Sequence, residues 1–332
     1  MIILRKSYIA AAMKIAVIDM GTNTFHLLIA EVKGKMFEVI HKEREAVRVG
    51  EEGLHDGWIP LEAQKRALNT LTNFKSVAEK HGVTKIFATA TSAIRSAANG
   101  LDLVQMIKDT TDIDVKIISG TEEATYIFNG VKKAMDNLDG TSLIMDIGGG
   151  SIEFIIVKDD EAMWMESFEI GGQRLIEHFH KTDPITFGEI QDLENYFEKS
   201  LEQLHAACRV FKPTSLIGSS GTFDTLSDMY CLAAGTIRDE KSTELPISID
   251  HFYEIHKELI TKTREERLAI PGMIEMRVDM IVVASVLIAY IIRRYDLTEL
   301  RGSAYALKEG VTMSIIDLLR EHDAHSIKKE PL

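Results

Sequence analysis

The chain has 332 residues, 45% hydrophobic and 27% charged, the ordinary balance of a soluble globular protein and enough for two cores. Its 51 acidic and 38 basic residues leave a net charge of -13, which argues against a general nucleic-acid binder. Any polyanionic substrate must therefore meet basic groups concentrated around one cleft. Cys208 and Cys231 lack metal or redox spacing, so a reduced cytoplasmic protein is the default.

The first 14 residues, MIILRKSYIAAAMK, are too short for a secretory signal, and Met13 reads as the functional start because a strand follows at once. Residues 14–19 form that strand, 25–32 return across a tight turn, and 36–48 continue with Val39, Ile40, Val47 and Val49 as apolar members. Pro60 opens a helix through Ala63, Leu68, Leu71 and Val77 that ends near His81-Gly82. Strands at 85–90 and 115–118 precede a helix from about Glu122, with Ala124, Ile127, Phe128 and Val131 on one face. After a polar boundary at 136–140 the pattern restarts with a strand at 142–146, a glycine turn and a returning strand at 152–157. Helices follow near 172–180 and 186–211, then a short strand at 215–217 running into Gly218-Ser219-Ser220-Gly221-Thr222. The apolar run 280–292 falls short of the ~20 residues of a membrane span and reads as a buried helix. A last helix over 303–319 carries Leu307, Val311, Ile315 and Leu318, and the tail from Glu321 reads as a frayed end whose Lys328-Lys329 are too few for a polyanion site. Alternating strands and helices place the chain in the α/β class.

An internal duplication organises these elements. Asp19-x-Gly21-x-x-Thr24 and Asp146-x-Gly148-x-x-Ser151 align without gaps, each between apolar strands. A repeat of that length signals two related domains rather than a solenoid. Turns of small residues aim N–H groups and hydroxyls at phosphate oxygens, and Gly21, Thr22, Asn23, Thr24 and Gly148, Gly149, Gly150, Ser151 both suit this. A single aspartate at such a place is read as an Asx cap of its own turn. For the matched pair Asp19 and Asp146, a shared hard cation such as Mg²⁺, bridging phosphates and one or two carboxylates, is the favoured reading.

Three further groups are candidates. Glu153 shares the face of Ser151 on an apolar strand, where an acid requires water, a metal or a cation. Arg95 either enters the cleft to fork a phosphate or lies on a solvated helix face. Glu122 and Glu123 point to different sides of their helix, so at most one is a base, and by themselves both read as first-turn acids. His26 reads as a hydrogen-bonded core residue.

The stretches Ala16-Val-Ile-Asp-Met-Gly-Thr-Asn-Thr-Phe-His-Leu, Ala88-Thr-Ala-Thr-Ser-Ala-Ile-Arg-Ser-Ala-Ala-Asn, Ile117-Ile-Ser-Gly-Thr-Glu-Glu-Ala, Met145-Asp-Ile-Gly-Gly-Gly-Ser-Ile-Glu and Gly218-Ser-Ser-Gly-Thr occur in that order. The chain thereby resembles, from about residue 14 to 316, the exopolyphosphatase/guanosine pentaphosphate phosphohydrolase (Ppx/GppA) family of the actin-like superfold. The resemblance implies two duplicated actin-like (ribonuclease H-like) domains, 1–132 and 133–302, with the helix over 303–320 packing back on the first, and an interdomain cleft. It implies Glu123 as catalytic, residues 19–24 and 146–151 with Arg95 as phosphate-binding, and Asp19, Asp146 and Glu153 around Mg²⁺. The expected substrate is inorganic polyphosphate, with guanosine pentaphosphate as the alternative, and a homodimer without nucleic-acid or membrane partners is expected. An actin-like kinase or sensor is the reading from another class. The chain ends too soon for the helical C-terminal domain of some family members, which puts processivity on long chains in question.

Overall fold

The computed structural model describes residues 13–33, 36–51, 53, 56–239 and 241–327. The expectations about residues 1–12 and about Lys328-Lys329 lie outside them. The first half runs β1 (Met13–Met20), β2 (Phe25–Lys33), β3 (Met36–Glu45), α1 (Leu61–Lys80), β4 (Lys85–Ala90), α2 (Ser92–Ser96), α3 (Gly100–Thr111), β5 (Val115–Ile117) and α4 (Gly120–Ala134). The second runs β6 (Thr141–Ile147), β7 (Ile152–Lys158), β8 (Glu161–Phe168), α5 (Gly172–Phe179), α6 (Phe187–Ser200), α7 (Glu202–Phe211), β9 (Ser215–Ser219), α8 (Gly221–Ala233), β10 (Glu244–Leu245), α9 (Ile249–Thr261), α10 (Arg264–Leu268), α11 (Met280–Arg294), β11 (Glu299–Ser303) and α12 (Leu307–Ile327).

One topology is used twice. The sheets have the orders β3-β2-β1-β4-β5 and β8-β7-β6-β9-β11-β10. Each starts as an antiparallel meander and continues through parallel strands, with β10 added antiparallel at the edge of the second. The equivalence is residue-precise: Asp19 pairs with His26 and Thr89, and Asp146 with Glu153 and Ser219.

Both faces of β1 and β6 are covered, which is why they read as unbroken apolar runs. Ala16 and Ile18 face the core under α1 and α3, while Ile15 and Val17 face a middle layer between the sheets. In the second sheet Leu143 and Met145 face the core of α6, α9 and α11, while Ile144 faces the middle layer. By the period of two, Asp19 and Asp146 both end their strands pointing into that layer, as do His26 and Glu153.

The middle layer consists of α4 and α12. Helix α4 lies against β7 and β8, and α12 against β1 and β2. The helices approach to backbone contact: a Cβ at Gly130 would sit 2.2 Å from the Ala306 carbonyl, and one at Gly310 1.7 Å from that of Tyr126. Only hydrogen fits at either position. This crossing brings the N-termini of α4 and α12 to the same pair of sheet ends.

Several boundaries differ from the sequence reading. β3 stops at Glu45 because the chain leaves the sheet to close on the first turn, with Arg48 at φ 50° and its N–H, like that of Gly50, donated to Asn23 and Thr22 carbonyls. Val47 and Val49 are buried there without being strand residues. The expected helix over 186–211 breaks at Leu201 into α6 and α7. The last helix starts at Leu307 rather than Ser303, which ends a strand (299–303) parallel to β9, and α12 continues to Ile327. The alternation is too short there to announce a strand. Helix α11 is buried over its 13 residues from Met280 to Ile292, and among the described residues no helix is long and apolar enough to cross a membrane.

Candidate active site

The two turns are built alike and touch each other. Gly21 N–H donates to Thr24 O at 3.2 Å and Gly148 N–H to Ser151 O at 3.0 Å. A Cβ on Gly149 would meet the Asn23 amide at 3.0 Å, and one on Gly150 would come within 2.5 Å of both Thr22 Oγ1 and Ser92 Oγ. The second turn therefore has to be glycine to seat against the first.

Hydrogen bonds behind each turn fix where its amides face. The carbonyls of Gly148, Gly149 and Gly150 accept from the first N–H groups of α5, those of Gly172, Gln173 and Gly171. In a planar trans peptide the N–H points opposite to the C=O. The N–H groups of Gly149, Gly150 and Ser151 are thereby turned away from α5. The Thr22 and Asn23 carbonyls, held by Gly50 and Arg48, orient the Asn23 and Thr24 amides in the same manner. Two fans of donors result, the arrangement that receives an anion.

Four carboxylates crowd the floor. Asp19 is half-buried, its Oδ1 sealed from solvent without a hydrogen-bond partner. Burial pushes its carboxyl up to about 7, with Asp146 and Glu309 adding to the effect and Lys308 opposing it. Asp146 is buried and accepts from Ser219 Oγ at 2.5 Å, and burial raises its pKa as well. Glu153 accepts from Ser167 Oγ at 2.6 Å, and burial with the charges of Glu123 and Asp146 holds it well above the carboxylate range.

The adjacent glutamates of α4 have different fates. Glu122 closes a capping box with Ser119 and pairs with Lys116 at 2.6 Å, which drives its pKa down to about 2. Glu123, one residue or ~100° further round the helix, is buried in the cleft and accepts from Arg95 Nη1 at 2.8 Å. Burial pushes it up to about 7 against the pull of Arg95, and Asp19 and Asp146 push the same way. Arg95 is not free: its other arm donates to Glu169 Oε1 at 2.7 Å, and Nη1 also reaches the Ile118 carbonyl. Glu169 further bonds Ser92 and Arg174.

The cleft is lined by all of Asp19, Gly21, Thr22, Asn23, Thr24, Glu123, Asp146, Gly148, Gly149, Gly150, Ser151 and Glu153. Arg95 stands behind Glu123 rather than on the wall. His26 is not a core residue but a half-buried wall residue, held neutral first by burial and then by Lys308, Arg277 and Arg44. The reason is its place on β2, facing the middle layer beside Asp19.

A Ppx/GppA phosphatase family profile matches residues 28–319. The chain belongs to this family. The Ppx/GppA fold is also that of its structural neighbours. An exopolyphosphatase crystal structure from Cytophaga hutchinsonii superposes with a TM-score of 0.88 at 45% identity, covering 92% of this chain and 98% of that one. The Aquifex aeolicus Ppx/GppA member shares the fold at a TM-score of 0.75 and 23% identity, over 94% and 99% of the two chains. Exopolyphosphatase 2 of Mycobacterium tuberculosis is 27% identical over 320 residues, 92% of this chain and 99% of the relative. The chain is thus an exopolyphosphatase-like phosphohydrolase with the two-domain actin-like fold.

Within this Ppx/GppA site the donors suit one kind of cation. Among the described residues no three His, Cys, Asp or Glu side chains converge as a closed metal cage. The orphaned Asp19 Oδ1 and the crowding of Asp146 and Glu153 instead fit a hard ion that keeps waters and takes one or two carboxylates. Sequence reasoning missed Arg44, Asp224, Arg277 and Lys308 on the wall. The Gly218–Thr222 loop that follows β9 places Ser220 and Gly221 there. The only sign of Lys308 was its position beside the apolar stripe of the last helix.

Proposed function

We propose that this protein releases orthophosphate from the end of inorganic polyphosphate by in-line attack of water, with Glu123 as the base. The carrying observation is the placement of Glu123: buried, facing both donor fans, and oriented by Arg95. The terminal phosphate rests on the amides of Asn23, Thr24, Gly149, Gly150 and Ser151. Arg95 occupies Oε2 of Glu123, leaving Oε1 to hold the water and take its proton as the oxygen–phosphorus bond forms. The bond to the bridging oxygen breaks, and the shortened chain leaves as the anion. Mg²⁺ held by Asp19 and Asp146, with Glu153 beside it, would supply neutralisation of the phosphoryl oxygens, where phosphoryl transfer needs it. Homologues named exopolyphosphatase support polyphosphate over guanosine pentaphosphate.

The test is phosphate release from polyphosphate, with and without Mg²⁺, in wild type and Glu123→Gln. A positioned base contributes ~10²–10⁴ in rate, so the variant should lose about that factor while still binding substrate. A variant that keeps its turnover would remove Glu123 from the chemistry.

A further inference from the structure

Arg95 holds Glu123 with one arm only. Its other arm crosses to the second half of the chain and donates at 2.7 Å to Oε1 of Glu169, the residue just past β8. We propose that Glu169 is a positioning residue for the hydrolysis: it fixes Arg95, and through Arg95 the base, at a set distance from the turn that receives the phosphate. The proposal rests on the reading of Glu123 as base and deepens it.

Both oxygens of Glu169 are taken. Oε1 accepts from Arg95, and Oε2 accepts from Ser92 Oγ and, at 3.2 Å, from Arg174 Nη2. Ser92 and Arg95 are three residues apart on α2 and so share a helix face. One carboxylate of the second half therefore grips the face of the first half that carries the guanidinium.

The backbone beside Glu169 is pinned to the second turn. Gly171 N–H donates to Gly150 O at 3.0 Å, and Gly172 N–H to Gly148 O at 2.9 Å. A Cβ on Gly171 would come within 2.4 Å of the Gly149 carbonyl, so the two segments are in backbone contact. Arg174 repeats the link with its side chain: Nε donates to Gly150 O at 3.0 Å and Nη2 to Ser96 Oγ at 3.3 Å. Glu169 thus carries the position of the Gly149–Ser151 donors across to Arg95. The same strand end serves the other buried glutamate, since Ser167 Oγ donates to Glu153.

A guanidinium beside a polyanion has a choice of partners. Freed at its outer arm, Arg95 would be able to leave Glu123 for phosphate oxygens, which its fork fits equally well. Glu169 removes that choice by fixing the fork at both ends. In-line attack needs the base and the phosphorus held in close register, and the path from turn to Glu169 to Arg95 to Glu123 supplies it across the two halves.

Steady-state phosphate release from long-chain polyphosphate tests this in wild type, Glu169→Ala, Glu169→Gln, Arg95→Ala and the Arg95→Ala/Glu169→Ala double variant. In Glu169→Ala kcat should fall about tenfold, with KM within about threefold of wild type. Glu169→Gln, whose amide oxygen still accepts from Arg95, should recover part of the loss. In the Arg95→Ala background Glu169→Ala should remove nothing further from kcat, because its effect passes through Arg95. Glu194→Ala, which takes a carboxylate from Arg293 on the surface, should leave kcat as in wild type. An unchanged kcat in Glu169→Ala, a rise in KM alone, or equal losses with and without Arg95 would overturn the positioning role. Glu123→Gln measured alongside tests the reading beneath it. If that variant keeps wild-type turnover the base assignment falls, and the Arg95–Glu169 cycle then decides by itself whether Glu169 acts through Arg95.

Discussion

Packing four acids into one floor has a thermodynamic signature. Asp19 is the clearest case, since its pKa rises from the usual carboxylate value to about 7. A raised folded-state pKa means that the folded protein binds a proton the unfolded chain has released. Stability is therefore full below about pH 4 and is lost as pH rises to about 7, after which the loss is complete. A shift of roughly three units corresponds to about 4 kcal/mol for this group alone. Glu123 works in the same direction and shares the same field, so the two effects are not additive. In a two-domain chain of this length the change translates to a fall in Tm of about 5–10 °C. The assay is thermal unfolding in chelator across that pH range, repeated with Mg²⁺ and with Asp19→Asn. The expected results are a falling Tm in wild type, a flatter profile in the variant, and a Mg²⁺ gain that is largest above about pH 7. Metal-free protein that holds or gains stability as pH rises would refute the crowding. A Mg²⁺ effect that survives intact in Asp19→Asn would move the cation away from this aspartate.

Two other substitutions probe the scaffold. Gly150→Ala places a Cβ 2.5 Å from Thr22 Oγ1 and Ser92 Oγ, so the turns must separate; about 1–3 kcal/mol of stability and at least about tenfold in kcat/KM should be lost, read by denaturation and phosphate release. Arg267 is 1% exposed and donates to Asp183, Lys262 O and Val278 O, so Arg267→Ala should cost about 3–5 kcal/mol in a melt, and Arg267→Lys, lacking the fork, should recover only part.

The duplication was legible because it is local chemistry. An aspartate, a glycine and a hydroxyl at fixed spacing between apolar strands describe the turn wherever the chain folds, and both turns have that geometry. What the residues by themselves left open depends on helix phase and on distant packing. Whether Glu122 or Glu123 faces the cleft is set by the Ser119 cap and by the face of α4 that buries Ile127 and Val131, and a one-residue change in register would exchange them. β3 ended early because the chain just past it turns Arg48 and Gly50 N–H groups to the first turn, which no periodicity reveals. Arg44 and Lys308 lie far apart in sequence. They become neighbours only because the glycine-permitted crossing of α4 and α12 brings the last helix onto β1 and β2.

The same crossing gives the duplicated site a direction. Equivalent positions on the second strand of each sheet carry His26 and Glu153. Beneath α4, against β7 and β8, stand Glu123 and Glu153, acids whose burial and neighbouring carboxylates raise the pKa of both. Beneath α12, against β1 and β2, stand Lys308, Arg44 and a histidine kept neutral by burial and by those cations. The two ends of the cleft are therefore unlike: Glu123 and Glu153 stand at one, and Arg44, Lys308 and His26, with Asp224 on the same wall, at the other. With Glu123 in its proposed role as base, a phosphate chain is placed productively only with its terminus toward Glu123. The duplication is asymmetric at these two positions, His26 and Glu153. Exchanging them, with Glu at 26 and His at 153, would set acid against the incoming chain and should weaken polyphosphate binding even with Glu123 in place.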